Sequence, residues 1–275
     1  GSNPDQQFAA AALNAVPFKI FLNTTMNLGH CHGVEGEVII LPVAARDEER
    51  QSTTQESMFN FVRLSDGGIS RHENLRSEVE VISEIAGRVL GNDDIFHWSK
   101  LENHNSIRKL IARIIPGFES IGDIGKTKKE FHIPGRLLHN PAFPTESGKA
   151  KFIYHPIPNL NQLQENEFHL LSVRSEGQFN TVVYEEEDLY RGQERRDVVM
   201  MNKEDMTRMG LLEDERVVVK SETGQINNIL ARSFEIKRGT VLMYYPEANA
   251  LISQKVDPMS RTPGFKSAVV RIGLS

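Results

Sequence analysis

The stretch FHLLSVRSEGQFNTVVYEEEDLYRGQERRDVVMMN, Phe168 to Asn202, decides how this chain is read. It opens with an apolar run, Phe168-His169-Leu170-Leu171, and passes through Ser172-Val173 into Arg174-Ser175-Glu176-Gly177-Gln178-Phe179-Asn180-Thr181. That order places a strand directly ahead of a loop rich in hydrogen-bonding groups. Such a loop can hold a polar ligand. Arg174 offers a fixed fork of donors for a pyrophosphate or carboxylate, and Gly177 lets backbone come close to it. A solvated hairpin end fits the same residues, because isolated Arg-Ser-x-Gly patterns are common.

Downstream, Met201-Asn202-Lys203-Glu204-Asp205 begins a short helix that closes at Gly210. The strand Arg216 to Lys220 follows, and the chain then turns through Ser221-Glu222-Thr223-Gly224 into Gln225-Ile226. A second helix is expected near Glu247, and Ser267 to Ile272 is the expected final strand. Short strands separated by turns from Glu167 onward read as a compact β-barrel.

Upstream the pattern changes. Residues 3 to 14 favour helix, and Val16 to Asn23 and Glu37 to Leu41 read as short strands. Apolar positions Val79, Ile82, Ala86, Val89 and Leu90 repeat at helical spacing before Gly91; Ile107, Leu110, Ile111 and Ile114 do so before Pro116. Both stripes are expected to face a core. Residues 116 to 165 are rich in Gly, Pro and basic groups and read as a long irregular connector. The expected division is therefore an α/β segment at 1–115, a connector at 116–165 and a β-barrel domain at 166–275.

With 275 residues, 39% of them hydrophobic and 25% charged, the chain can bury a sizeable core and is expected to hold two domains. A formal charge of −5 argues against a general nucleic-acid or anionic-membrane binder. No apolar run reaches the roughly 18 residues of a membrane helix, and no leader pattern opens the chain, so a soluble, cytoplasmic protein is expected. Gly1-Ser2, without a methionine, reads as the remnant of tag cleavage on a fragment. The single cysteine, Cys31, allows no internal disulfide and by itself no iron–sulfur cluster. Gly29-His30-Cys31-His32-Gly33 puts two histidines on one side of an extended segment, but two ligands without a third and fourth make no metal site.

In order and spacing, Phe168 to Asn180, Met201 to Asp205, Tyr244-Tyr245-Pro246-Glu247-Ala248-Asn249-Ala250-Leu251, Asp257-Pro258 and Arg261-Thr262-Pro263-Gly264-Phe265-Lys266 resemble the C-terminal dinucleotide-binding domain of molybdopterin oxidoreductases, most of all formate dehydrogenase-like alpha subunits. Gly36 to Pro42 and Ser52 to Ser65 resemble the last part of the catalytic-subunit domain that precedes that barrel. The resemblance covers most of 16–95 and 165–272. It implies a six-stranded double-psi barrel that binds molybdopterin guanine dinucleotide carrying molybdenum. Arg174, Ser175, Gly177, Gln178 and Asn180 would supply donors, and Phe179 a surface for a flat ring. Asn249 and Lys266 match cofactor-contacting positions, and Phe265 stands where a tyrosine is often found. Asp205 can accept paired N–H bonds from a guanine, yet an N-cap at Asn202 and an acid in the first turn explain both residues without a ligand.

Thr53-Thr54-Gln55-Glu56-Ser57 reads either as a capping loop or, by resemblance, as an approach to the pterin. The family pattern there often runs Asn-Thr-Glu-Gly-Arg, whereas Glu56 is followed by Ser57 and Met58. The family's iron–sulfur cysteines and metal-ligating residue lie upstream, and nothing here matches them. The chain would therefore need the preceding part of the same polypeptide as its partner, and alone it is expected to show no turnover. The resemblance implies two-electron redox chemistry on a small molecule, formate being one candidate, with no nucleic acid or membrane involved. A non-catalytic double-psi barrel acting as a binding or interaction module is the alternative, because fold alone does not fix function.

Overall fold

A computed structural model describes residues 2–57, 59–69, 71–92, 97–135, 142–156, 163–179 and 184–274. Its elements in chain order are α1 (Gln6–Asn14), β1 (Phe18–Asn23), β2 (Glu37–Pro42), β3 (Thr53–Glu56), β4 (Phe61–Ser65), α2 (Glu78–Leu90), α3 (His104–Ile114), α4 (Ile124–Thr127) and β5 (Phe131–His132), followed by β6 (Glu167–Val173), β7 (Val198–Met201), α5 (Lys203–Met209), β8 (Glu215–Lys220), β9 (Gln225–Ser233), β10 (Thr240–Tyr244) and β11 (Ala268–Leu274). Two compact units divide them. One comprises Gly1–Lys19, Met26–Val38 and Pro158–Ser275, the other Ile20–Thr25 and Ile39–Ile157.

In the first unit the expected closed six-stranded barrel is present, with strand order β10-β6-β11-β8-β9-β7. Pairing is mixed: β10 runs parallel to β6 and β7 parallel to β9, while β11 is antiparallel to both β6 and β8. It follows that β6, β8 and β10 all point one way and β7, β9 and β11 the other. Along β6 burial alternates, with Phe168, Leu170 and Ser172 inside, as the two-residue period of a strand dictates. Val199, Met201, Val217, Val219, Val241, Met243, Val270 and Ile272 join Phe168 and Leu170 in the core, each contributing about 1.5–3 kcal/mol by leaving water. All four residues of β7 are buried, because Val198 and Met200 pack on the other side of the sheet with Leu230, Leu242 and Tyr244. The helix expected near Asn202 is α5, capped by the Asn202 side chain and closed by Gly210 in a left-handed conformation. The helix expected near Glu247 is a 3-10 turn, Glu247–Leu251.

In the second unit β3, β4 and β5 form an antiparallel sheet. Thr53-Thr54-Gln55-Glu56, expected as a loop, is the edge strand of that sheet, paired from Thr53 with Ser65 to Glu56 with Val62. Arg108 of α3 is 3% exposed and donates to the Ser52 carbonyl at 2.8 Å and to Asn105 Oδ1 at 2.7 Å. Within the stretch 116–165, the part at 116–135 carries more regular structure than its composition implied. A 3-10 turn at Glu119–Asp123, α4 and β5 place Ile121, Ile124 and Ile133 in a core with Val62, so apolar residues spaced among the glycines and lysines hold it down.

The α2 stripe departs from expectation. Ser77 caps the helix in a reciprocal box with Glu80, and Val81 is buried, but Ile82, Val89 and Leu90 are 54%, 74% and 69% exposed. The helix packs through another side, where Gly87 lies against Trp98.

Candidate functional site

The strand directions concentrate the chemistry at one end of the barrel. Because β6, β8 and β10 share a direction, the chain leaves all three there, and β7, β9 and β11 enter there. Five segments therefore converge: 174–179 after β6, 184–197 before β7, the β8–β9 turn at 221–224, 245–251 after β10 and 257–267 before β11. In the parallel β6–β10 pair Val173 is the partner of Tyr244, so the next residues, Arg174 and Tyr245, stand side by side. The Arg174 guanidinium lies 5.4 Å from the centre of the Tyr245 ring, and the Tyr245 ring meets Phe265 edge-on at 6.3 Å.

Three cations share this end. Lys266 Nζ donates to the Ser172 carbonyl, and burial lowers its pKa, with the charges of Arg174 and Arg191 adding to the effect. Arg191 Nη1 donates to the Arg174 carbonyl at 3.0 Å and pairs with Asp188 at 2.7 Å. Among the described residues no carboxylate pairs with Arg174 or Lys266. Like charges crowded around a half-buried ammonium are costly unless an anion joins them, so this end of the barrel suits a phosphate-bearing ligand.

Beneath that surface lies a hydrogen-bonded floor built on Arg196. This guanidinium is 4% exposed and is sandwiched by the rings of Tyr184 and Tyr244, at 4.1 Å and 4.8 Å. It donates to Glu247 at 2.6 and 3.0 Å, to Ser175 Oγ at 2.8 Å, to Gln178 Oε1 at 3.3 Å and to the Tyr245 carbonyl at 2.7 Å. One side chain thus ties the loop after β6 to the loop after β10. Asp188, fully buried, is a second tie. Burial alone would raise its pKa, but hydrogen bonds from Arg191, the Tyr244 hydroxyl and the Glu176 N–H outweigh that and hold the carboxyl below its usual range. The Tyr244 hydroxyl is pushed up in turn, by burial and by the carboxylate it bonds.

Of the residues singled out in sequence, Arg174, Phe265 and Lys266 come together. Ser175 and Gln178 lie just below them and face inward to Arg196 rather than outward. Gly177 sits at φ +65° with open space where a side chain would be, and Phe179 is 65% exposed. Asn249 is fully buried in the 3-10 turn after Tyr245-Pro246, and Asn180 lies outside the described residues. Asn202 and Asp205 do not join the group. They follow β7 and so stand at the opposite end of the barrel, one strand length or roughly 13 Å away. Both are already engaged: Asn202 caps α5 and donates to the Ile236 carbonyl at 2.6 Å, and Asp205 accepts from the Gly239 N–H at 2.7 Å. At Gly29–Gly33 the His30 ring bonds Asn27, and no group of three metal-binding side chains forms among the described residues.

Arg191, Arg196 and Asp188 were not singled out in sequence, because Glu185 to Asp197 reads as a solvated run of charges. One signal was available. Arg196, Val198 and Met200 share the two-residue period of β7, so Arg196 points to the side that those two bury.

Comparison with known proteins agrees with this geometry. Residues 168–269, which carry all five converging segments, match the family described as "Molydopterin dinucleotide binding domain". The barrel region is thus similar to a molybdopterin dinucleotide-binding domain. It is 28% identical to an uncharacterized oxidoreductase of Mycobacterium tuberculosis over 98% of its own length and 37% of that relative's. It is 25% identical to protein YdeP of Escherichia coli over 98% of its length and 38% of that protein's. Among solved structures, acetylene hydratase from Pelobacter acetylenicus superposes on 99% of the chain and 42% of its own, with a TM-score of 0.66 at 14% identity, a likeness of fold. The chain thus spans well under half the length of the proteins it matches. No helix among its described residues is long and apolar enough to cross a membrane.

Proposed function

We propose that this chain is the C-terminal portion of a molybdopterin guanine dinucleotide-dependent oxidoreductase of the formate dehydrogenase-like kind, and that its barrel positions the dinucleotide. The carrying observation is the cluster of Arg174, Arg191 and Lys266 beside the Tyr245–Phe265 ring pair, within the matched residues, in which Arg191 alone has a carboxylate partner among the described residues. Arg174 and Lys266 hold the diphosphate, with Arg191 adding field strength, and the open backbone at Gly177 lets phosphate oxygens approach N–H groups. The edge-on pair of rings leaves an aromatic face for a flat heterocycle. When bound, the cofactor supplies two-electron exchange at its metal; this chain supplies charge, orientation and a rigid floor. Arg196 keeps both loops in register, so the anion-binding groups are in place before the ligand arrives.

The test is chemical. The longer polypeptide is purified, treated with acid and analysed for released nucleotide and for metal. GMP in step with molybdenum or tungsten is expected; protein free of both, or carrying another nucleotide, overturns the reading. Formate as the substrate is a finer part of the proposal, checked by formate-dependent dye reduction with the longer polypeptide, while the 275-residue chain alone is expected to give none.

A further inference from the structure

The exposed stripe of α2 is a surface without a partner among the described residues of the second unit. Ile82, Val89 and Leu90 are 54%, 74% and 69% exposed, although their spacing puts them within one 100°-wide strip of the helix. The unit they belong to has few buried apolar residues to spare: Val43, Val62, Val81, Ile121, Ile124 and Ile133 are its fully buried ones among the described residues. Apolar surface of this kind is costly in water unless something covers it.

The relatives are much longer than this chain. Matches that span 98% of this chain reach only 37% and 38% of the matched proteins, so in them this segment is one part of a polypeptide more than twice as long. We infer that the Ile82–Val89–Leu90 face of α2 is an intramolecular docking surface, covered by an apolar face of the remaining part of the same polypeptide. The inference rests on the reading of this chain as a portion of a longer enzyme, and it adds the surface through which the portions join. The cap at Ser77 and the α2 packing at Gly87 leave the helix formed before docking, so it presents a rigid ridge.

Thiol labelling tests this. In a Cys31→Ser background, Ile82→Cys, Val89→Cys and, as a control about 100° round the helix from Val89, Arg88→Cys are made in the 275-residue chain and in the longer polypeptide. Labelling by a water-soluble maleimide is followed by peptide mass spectrometry. All three positions are expected to react quickly in the short chain. In the longer polypeptide, Ile82→Cys and Val89→Cys are expected to slow on the order of tenfold or more, because a covered thiol waits for local opening, while Arg88→Cys stays fast. Equal rates in both proteins overturn the inference. So does protection of Val89→Cys in the short chain together with a doubled mass by light scattering, which would make a second copy the occupant. Nucleotide content, measured on the same longer polypeptide, fails or succeeds separately: protection without bound dinucleotide would remove the functional reading and leave the docking surface.

Discussion

Replacing Arg196 with methionine keeps a stem between the Tyr184 and Tyr244 rings but removes the guanidinium that touches Ser175, Gln178, the Tyr245 carbonyl and Glu247. Breaking one member of a buried ion pair costs about 3–5 kcal/mol, most of it from the charge left behind. Here the partner, the Glu247 side chain, is 35% exposed and can rehydrate, which argues for the lower end. The Tyr245 carbonyl and Gln178 Oε1 retain other options; Gln178 Nε2 still donates to the Tyr245 carbonyl at 2.6 Å. A loss of about 3 kcal/mol is the working value, and at about 2–4 °C per kcal/mol for a body of this size the barrel should melt about 6–12 °C lower. Arg196→Lys retains the charge but not the fork, and should fall between the two. Thermal unfolding followed by circular dichroism reads the effect. A melting temperature within about 2 °C of wild type, less than 1 kcal/mol, would refute the idea that this side chain ties the two loops.

Other consequences follow from the same geometry. Asp188 has a lowered pKa in the fold, so its stabilisation is fully present above the ordinary carboxyl value of about 3.9 and is lost as pH falls through the folded value. Asp188→Asn should therefore be much less stable than wild type at pH 7, and denaturant titrations should show the gap closing in acid; a gap independent of pH would count against the charged network. Lys266 is the opposite case. Its folded pKa is lowered, so the cost of holding it charged is complete below that value and is relieved as pH climbs towards the ordinary 10.5. Wild type should gain stability relative to Lys266→Met over that alkaline window, while its affinity for GDP declines, both measurable at fixed ionic strength. At Gly224, an added Cβ would lie 2.4 Å from the Ala250 carbonyl oxygen, against the 3-10 turn that carries Asn249. Gly224→Ala should cost about 1–3 kcal/mol by overpacking, seen as a lower melting temperature, and an unchanged one would mean the turn yields freely.

How far the sequence could be read depended on whether a signal was local. The barrel strands announced themselves through apolar runs and turn residues, and Asn202 as a cap with Gly210 as a stop is chemistry confined to nine residues. Arg174 and Lys266 could be placed together only by resemblance, because what brings them together is the antiparallel pairing of β6 with β11 across some ninety residues of chain. Asp205 illustrates the converse. Its acid was equally compatible with a base or with a helix end, and the backbone N–H of Gly239, distant in sequence, settles its use in the fold. Arg195 and Arg196 are adjacent and chemically alike, yet one side chain is 42% exposed and the other 3%. Only the strand period continuing upstream from Val198 separates them. The α2 stripe was legible as a helix, but not what its face meets, since periodicity shows that a face is apolar and not where its cover lies.

The central claim is that the Arg174 and Lys266 end of the barrel holds the diphosphate of a guanine dinucleotide, and titration with GDP tests it most directly. Isothermal calorimetry of the 275-residue protein, of Arg174→Ala and of Lys266→Ala, each at two salt concentrations, would suffice. Saturable binding that weakens with salt, and that each substitution lowers about tenfold to a hundredfold through a lost charge-assisted hydrogen bond, is the expected result. Binding that is absent in wild type, or unchanged in both variants, would contradict the account.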